Sequence, residues 1–234
     1  MKTIKQIFFF VLTVFFLGAA FSASATSEKS KRKVTGFSGI QISSGIDLYL
    51  KMGDSEEVIV VADDDIIDDI ITKVEDGVLE IYMKRKIWWW WNINRKVYVT
   101  AKELNKLYAS AGSDVESENT ITDEELDIKV SSGSDVKMEV KVVKLKVKSS
   151  SGSDVKLTGI AKEFDADASS GSDIHAAGLK TENCRVEVSS GSDASVYVTN
   201  ELYARASSGG DIRYSGNPEH KDIHESSGGG IYKR

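Results

Sequence analysis

The sequence predicts an all-β fold: a parallel β-helix, or β-solenoid, with rungs of about 19 residues and an N-terminal β-subdomain stacked on it. Three observations predict this fold. A Ser-Ser-Gly-Ser-Asp motif recurs at nearly constant spacing, apolar and polar residues alternate on both sides of each motif, and no 3.6-residue apolar period is visible. A fixed period of this length is typical of repeat architectures.

The motif is centred on one glycine in each repeat. From Gly112 to Gly228 the successive glycines are separated by 21, 19, 19, 20, 18 and 19 residues. We predict a bend at each motif, because glycine suits a residue with positive φ or a close approach of two backbones. The serine before each glycine, such as Ser151, is predicted to point inward and to hydrogen-bond there. The predicted structural turn glycines are Gly112, Gly133, Gly152, Gly171, Gly191 and Gly209.

Positions counted from the motif glycine form apolar columns. The residues seven, five and three positions before it, and three and five positions after it, are apolar or small in nearly every repeat; Val136, Val155 and Ile174 form one such column. Charged and polar columns alternate with them, so each repeat should contain two short strands, one on each side of the bend. Equivalent strands of a parallel solenoid stack about 4.8 Å apart, which turns the columns into buried ladders. The last dozen residues should form a frayed or capping rung, because Lys221 and Glu225 break the pattern.

The N-terminal region has one related motif at residues 43–47, and Gly45 lies 67 residues before Gly112. Strands are predicted between these motifs at 57–62, 77–84, 87–93 and 96–101, with a short helix or turn over 63–74. The segment 34–103 is therefore expected to stack on the repeat array or to continue it.

Residues 1–25 have the features of a secretory signal peptide. Lys2 and Lys5 are followed by an apolar segment over 7–17, and Ala23-Ser24-Ala25 fits a cleavage site. We expect an exported protein, periplasmic, surface-exposed or secreted, with no transmembrane span after cleavage. The predicted organisation is a signal peptide (1–25), a linker (26–33), an N-terminal β-subdomain (34–103) and a solenoid repeat array (104–234), the last two forming one continuous unit.

The charge of the chain excludes some partners. Loss of the two signal-peptide lysines lowers the formal net charge from −6 to −8. A protein this acidic has no broad electrostatic attraction for nucleic acid or anionic lipid. Cys184 is the only cysteine, so the chain has no intramolecular disulfide, and its place in an apolar column predicts a buried thiol.

The motif aspartates should stack along one outer corner of the solenoid. Two interpretations of this column are open: each carboxylate accepts backbone N–H groups at its own turn, or neighbouring carboxylates bind Ca²⁺, which prefers six to eight oxygen ligands. No other cofactor is expected. The candidate calcium ligands are Asp135, Asp154, Asp173 and Asp193.

A run of four tryptophans, Trp88, Trp89, Trp90 and Trp91, contains every tryptophan of the chain and follows a basic tripeptide. Alternate tryptophans of a strand face opposite sides, and exposed aromatic rings suit sugar rings or a protein partner. The alternative interpretation is that they cover an end or flank of the solenoid. These residues are the candidate ligand- or partner-binding site.

Signals for catalysis are weak. The chain has three histidines, His175, His220 and His224, and the spacing of the last two would suit a metal only on a helix. No catalytic residue is predicted. Parallel β-helices include polysaccharide lyases and hydrolases, so a carbohydrate-active enzyme is the alternative function, by analogy of fold.

Ordered motifs resemble a known family. VTGFSGIQI at 34–42, SSGID at 43–47, DGVLEI at 76–81, KVYVT at 96–100 and SAGSDV at 110–115 follow one characteristic order. The chain resembles, over about 34–234, the putative auto-transporter adhesin, head GIN domain family of exported Bacteroidota proteins. This resemblance implies an all-β, parallel β-helical fold and an adhesin-like role. We therefore expect a non-enzymatic binding or structural module that engages a glycan or a cell-envelope or surface protein.

Overall fold

The computed structural model describes residues 27–84 and 94–234. The predicted all-β solenoid is confirmed: it has about seven turns with rungs of roughly 19 residues. The predicted signal peptide and the predicted strand at 87–93 lie outside the described residues. Within them, the one helical element is a 3-10 turn at Ile67–Asp69. The strands are β1 (Ser27–Arg32), β2 (Gly39–Ile42), β3 (Asp47–Met52), β4 (Glu57–Asp63), β5 (Ile70–Glu75), β6 (Val78–Met83), β7 (Arg95–Ala101), β8 (Lys106–Ala109), β9 (Val115–Ser117), β10 (Ile121–Ser131), β11 (Asp135–Ser150), β12 (Asp154–Ser169), β13 (Asp173–Val188), β14 (Asp193–Ala206), β15 (Asp211–Ser215), β16 (His220–Glu225) and β17 (Gly230–Lys233).

The rungs of the repeat array are long bent strands rather than pairs of short ones. β11, β12 and β13 have 16 residues each and start at a motif aspartate. Their hydrogen-bonded ladder is interrupted at the motif corner but continues around a second bend. At that bend two consecutive residues face outward, Val143 and Lys144 in β11 and Lys162 and Glu163 in β12.

The strands stack as two faces that meet at the corners. The pre-corner face runs β5–β6–β2–β8–β10, continues through the second halves of β11 to β14, and ends at β16. The post-corner face runs β1–β4–β7–β3–β9, continues through the first halves of β11 to β14, and ends at β15 and β17. Pairing is parallel except for β1–β4, β4–β7 and β5–β6.

The N-terminal strands continue the same ladders. β6 pairs with β2 and β7 pairs with β3, with Ile81 opposite Ile42 and Lys96 opposite Asp47. The first two motif corners touch although they are distant in sequence: the Gly45 amide donates to the Ala111 carbonyl at 3.0 Å. Within the segment predicted as a linker, residues 27–32 form β1 and pair antiparallel with β4. The segment 63–74 holds the 3-10 turn and most of β5.

The predicted inward columns are buried. Val136, Val155 and Ile174 stack in register and are at most 1% exposed. The buried apolar residues form a single cluster from Phe37 to Tyr214, so the N-terminal strands and the repeats share one core. The last rung departs from this pattern, since all six residues of β16 are exposed.

The motif corner is a pair of left-handed residues. Ser132 has φ 58° and Gly133 has φ 67°, and the same pair recurs at the later corners. A Cβ added at Gly133 would meet no atom within 4 Å. The glycine is therefore needed for its positive φ angle, and not because two backbones approach closely.

The prediction that the serine before each glycine points inward is wrong. Ser151 is exposed, whereas Ser153, after the glycine, is fully buried. The two left-handed residues turn the chain between them, so the alternation of a strand does not carry across the corner. The buried serines that follow a motif glycine are Ser113, Ser134, Ser153, Ser172 and Ser192.

Replacing a buried corner serine should destabilise the fold. The Ser153 hydroxyl lies 3.1 Å from the Val130 carbonyl and 2.8 Å from the Ser150 carbonyl, and it accepts from the Ser150 amide at 3.2 Å. We expect Ser153→Ala to lower the free energy of unfolding by about 1–3 kcal/mol, because buried partners lose their hydrogen bonds. Urea denaturation measures this loss. Ser151→Ala, at the exposed position of the same corner, is the matched control, and equal losses in the two variants would contradict the assignment.

Candidate binding surfaces

The motif aspartates form a hydrogen-bonded ladder between rungs. The backbone N–H of Asp154 donates to Asp135 Oδ1 at 3.2 Å, and that of Asp193 donates to Asp173 Oδ1 at 3.0 Å. The amide of Asp211 donates to Asp193 in the same way, at 3.3 Å. These three carboxylates therefore accept from the next rung, which corrects the expectation that each accepts at its own turn.

This bonding accounts for a column of like charges. Two carboxylates a rung apart repel by at most about 1 kcal/mol in water, whereas a hydrogen bond to a charged acceptor contributes roughly 1.5–3 kcal/mol. Arg213 adds compensation at the C-terminal end, with nitrogens 3.1 Å from Asp193 and 3.4 Å from Asp211. At the N-terminal end, Lys96 lies in register beside Asp47. The ladder is thus held by backbone donors and flanked by cations.

Calcium binding by the aspartate column stays a prediction. Among residues 27–84 and 94–234, no three His, Cys, Asp or Glu side chains are grouped so that they could hold a metal ion. Calorimetric titration with Ca²⁺ tests the prediction. Heat of binding together with a rise in melting temperature would support it, and neither effect at millimolar Ca²⁺ would contradict it.

Asp114 should destabilise the protein near neutral pH. Burial, followed by the negative charges of Asp135 and Asp47, raises the pKa of this carboxyl above 3.8. Because the folded state then holds the proton more tightly than the unfolded chain, stability falls as the pH rises through the interval above 3.8. We expect Asp114→Asn to melt at a higher temperature than the parent at pH 7, and this gain to disappear below pH 3.8.

Thermal denaturation followed by circular dichroism at pH 7 and pH 3 measures the Asp114 effect. Asp167→Asn is the matched control, because Asp167 lies 3.9 Å from Lys148 and its charge is compensated. The melting temperature of this control at pH 7 should not exceed that of the parent. A lower melting temperature for Asp114→Asn than for the parent at pH 7 would contradict the argument.

The tryptophans Trp88, Trp89, Trp90 and Trp91 lie outside the described residues. Their flanks are placed: the chain leaves β6 and returns in β7. Ile81 is in register with Ile42, and Lys96 with Asp47. β6 and β7 therefore pair with the two strands that flank the Gly45 corner.

A groove with a volume of about 1240 Å³ runs along the stack. This long groove crosses seven strands of the pre-corner face, from Asn105 and Lys106 beside β8 to His220 and Asp222 on β16. Six steps between strands correspond to roughly 29 Å. Its floor follows the buried Leu126–Leu145–Phe164–Cys184–Leu202 column. This site was not predicted from the sequence. The one signal for it in the sequence is that the outward-facing residues alternate in charge from repeat to repeat.

The walls of the long groove alternate in charge from rung to rung. Lys144 Nζ donates to Glu125 Oε1 at 2.9 Å, and this bond, with the charges of Glu125 and Glu163, raises the pKa of Lys144. Eight carboxylates and five Lys or Arg side chains line the groove, so its net charge is negative. In-register neighbours of opposite charge are Glu125–Lys144–Glu163 and Lys106–Asp127–Lys146–Asp165–Arg185.

The Tyr203 ring lies at the C-terminal part of the long groove. The Arg185 guanidinium lies over the Tyr203 ring, 4.1 Å from its centroid, and the His224 ring lies 5.7 Å away and tilted. Cys184 lies below this part of the wall, and burial raises the pKa of its thiol, which keeps the sulfur protonated and inert. Arg185 thus covers one face of the partly exposed Tyr203 ring.

The histidines do not converge on a metal. His220 and His224 lie on the extended strand β16, where four residues span roughly 13 Å. His224 Nε2 lies 2.8 Å from Asp222 Oδ1, and His175 is exposed on β13, on the post-corner face. The helical spacing considered from the sequence is therefore not realised.

Comparison with known proteins places the chain in a family. The profile of the family described as putative auto-transporter adhesin, head GIN domain, matches residues 36–218. The chain belongs to this family. Membership supports an adhesin-like protein, and it suggests an exported or surface location and surface partners. The head GIN resemblance drawn from the ordered motifs is confirmed.

Solved structures share the head GIN fold. A putative adhesin from Bacteroides fragilis is 24% identical, with a TM-score of 0.84 over 90% of this chain and 98% of that one. A putative adhesin from Parabacteroides merdae is 18% identical, with a TM-score of 0.72 over 90% and 97%. A putative lipid binding protein from Parabacteroides distasonis is 18% identical, with a TM-score of 0.66 over 90% and 98%. At these identities the likeness concerns the fold alone.

A search of the curated proteins found no significant match. No helix in the described part of this head GIN chain is long and apolar enough to cross a membrane.

Proposed function

We propose that this protein is an exported, non-enzymatic, adhesin-like module that binds a neutral glycan chain in the long groove. The observation that carries the proposal is the shape of the groove, which extends along seven rungs and is open along its length. An extended polymer can contact every rung of such a surface, as ligands of other solenoid proteins do. Family membership supports the adhesin-like part of the proposal.

The chemistry of the groove wall favours a neutral sugar. Carboxylates accept hydrogen bonds and ammonium groups donate them, and the two alternate along the wall. A sugar hydroxyl does both, so a neutral chain can hydrogen-bond at each rung. The excess of carboxylates repels anionic polymers from this groove, including nucleic acid. Tyr203 offers a ring on which one sugar can pack.

A glycan array and an envelope-protein screen on the chain from residue 27 test the proposal. We expect a neutral glycan among the ligands and, for Tyr203→Ala, a loss of affinity of about fivefold to tenfold, the size of one aromatic contact. Tyr232→Ala is the matched control, because Tyr232 is 53% exposed on β17 and lies outside the long groove. Equal affinity of both variants for the glycan, or capture of an envelope protein alone, would contradict the proposed ligand.

The alternative function, a carbohydrate-active β-helix enzyme, has a separate readout. Any polymer that binds can be incubated with the protein and analysed for new reducing or unsaturated ends. Chain shortening that disappears on substitution of groove carboxylates such as Glu163 and Asp165 would establish the enzyme and overturn the non-enzymatic proposal.

The tryptophan run is a second proposed contact of the same module. This part of the proposal rests on the sequence, since flat aromatic rings suit sugar rings. Trp89→Ala and Trp91→Ala can be measured on the same array. Unchanged binding together with lost stability would favour the interpretation that the tryptophans cover the solenoid.

A further inference from the structure

A second, smaller concavity lies on the other side of the second bend. This lysine channel has a volume of about 470 Å³ and crosses β10 to β14. We define it by Lys141, Lys162 and Lys180, which line it together with Val143, Ile160 and Tyr197. In β11 and β12 the channel takes the residues up to the first bend residue, and the long groove takes the residues from the second bend residue onward.

The three lysines lie on successive rungs and are exposed. Lys141, Lys162 and Lys180 belong to β11, β12 and β13, respectively. Within the described chain none of their ammonium groups has an ion pair or a hydrogen bond. By contrast, Lys144, the second of the two bend residues of β11, is paired with Glu125. Three uncompensated cations therefore stand on an acidic protein.

Apolar side chains are interleaved with these cations. Lys141, Ile160, Lys180 and Tyr197 are in-register neighbours on four consecutive strands. Ile160 is 52% exposed and Val143 is 46% exposed, which makes them two of the four exposed large hydrophobic residues of the described chain. An exposed aliphatic residue between two unpaired lysines forms a surface that is both cationic and apolar.

The acids of the channel do not cancel its charge. Asp123 and Glu182 also line it. The carboxylate of Asp123 is occupied by two backbone donors, the Leu104 amide at 3.1 Å and the Glu124 amide at 2.7 Å. Three ammonium groups against two carboxylates leave a net positive charge, the opposite of the long groove.

We propose that the lysine channel binds an acidic polysaccharide, with its carboxylate or sulfate groups on the lysines and its sugar rings on Ile160 and Tyr197. Lys141 and Lys180 are two strands apart, about 9.6 Å along the stack. A chain of uronic acids has carboxylates on sugars two residues apart that can match this spacing, with the intervening ring over Ile160. The channel is concave, which admits a chain but keeps a flat membrane surface away from its floor. This site goes beyond the proposed function, because its ligand class has the opposite charge preference to that of the long groove.

Binding of polygalacturonate, a polymer of uronic acids, tests the proposal, with dextran as the neutral probe. We expect calorimetry at low salt to detect polygalacturonate binding that weakens as salt is added. The triple variant Lys141→Gln, Lys162→Gln, Lys180→Gln should bind about tenfold more weakly. Ile160→Thr, which changes no charge, should lower the affinity for polygalacturonate about threefold, as expected for the loss of a small apolar contact.

The matched control carries the same charge change elsewhere. Lys51, Lys102 and Lys156 are exposed and lie outside both the channel and the long groove. Their triple glutamine variant should keep the parent affinity within twofold, and circular dichroism should show all variants folded. Equal losses in both triple variants, or binding to phosphatidylglycerol vesicles but not to polygalacturonate, would overturn the proposal. Because Tyr203→Ala leaves the channel intact, failure in the neutral-glycan test and failure here are distinguishable.

Discussion

Substitution of Gly159 by alanine should be among the most damaging single changes in the solenoid. Gly159 lies in β12 with φ 108°, and a Cβ added there would lie 2.0 Å from the carbonyl oxygen of its in-register partner, Val140. This contact is with backbone, so it cannot be relieved by a side-chain rotation. We expect Gly159→Ala to lower the free energy of unfolding by more than about 4 kcal/mol, or to prevent folding.

Gly152→Ala is the matched control for Gly159→Ala. Gly152 is a motif glycine with φ 67°, and an added Cβ would meet nothing within 4 Å. Alanine at this position only has to adopt a left-handed backbone conformation, which should lower the free energy of unfolding by about 1–2 kcal/mol. Urea denaturation of the two variants, or the soluble yield if one does not fold, measures the difference. If Gly152→Ala loses as much stability as Gly159→Ala, the steric clash at Gly159 is not the main source of its effect.

Truncation of Phe164 should produce the second large effect. Phe164 is 2% exposed and stacks in register between Leu145 and Cys184 in the column seven residues before the motif glycine. Removing its ring leaves a cavity between rungs that are fixed by their hydrogen bonds and can collapse only partly. We expect Phe164→Ala to lower the free energy of unfolding by about 3–5 kcal/mol, and the melting temperature by roughly 10 °C.

Phe164→Leu separates the cavity from other effects at this position. The same column contains Leu126, Leu145 and Leu202, so a leucine side chain fits its spacing. This variant should lose less than about 1.5 kcal/mol. Comparable losses for alanine and leucine would show that the cavity is not the source of the destabilisation.

The aspartate column shows where sequence reasoning reached its limit. That the aspartates stack was predictable, because residues at equal distances from a repeated corner fall in register. Their hydrogen-bond partners were not, because a carboxylate at a turn can reach either its own backbone or that of the next rung, and the corner geometry decides. In the folded chain, Asp135 accepts from Asp154 of the next rung.

The long groove and the lysine channel were even harder to predict from the sequence. The alternation of Glu125, Lys144 and Glu163 is visible once the repeats are aligned, yet it also suits a merely solvated face. Only the folded chain shows that these residues border a concave groove and that Lys141, Lys162 and Lys180 lack partners across the bend. Concavity depends on how far the chain turns at the second bend, and the apolar pattern does not encode that angle.

The repeat period and the inward-facing columns could be predicted from the sequence alone. In a parallel, in-register stack each residue lies beside the equivalent residue of the next repeat, so the residues of one column must be similar in size. The tertiary structure decided which serine is buried at the corner, since two left-handed residues reset the alternation of the strand. It also placed β6 and β7 on β2 and β3 and showed that Gly159 is needed for space. The placement of β6 and β7 and the need for Gly159 depend on contacts between paired strands that are far apart or one repeat apart in the chain, which no local pattern specifies.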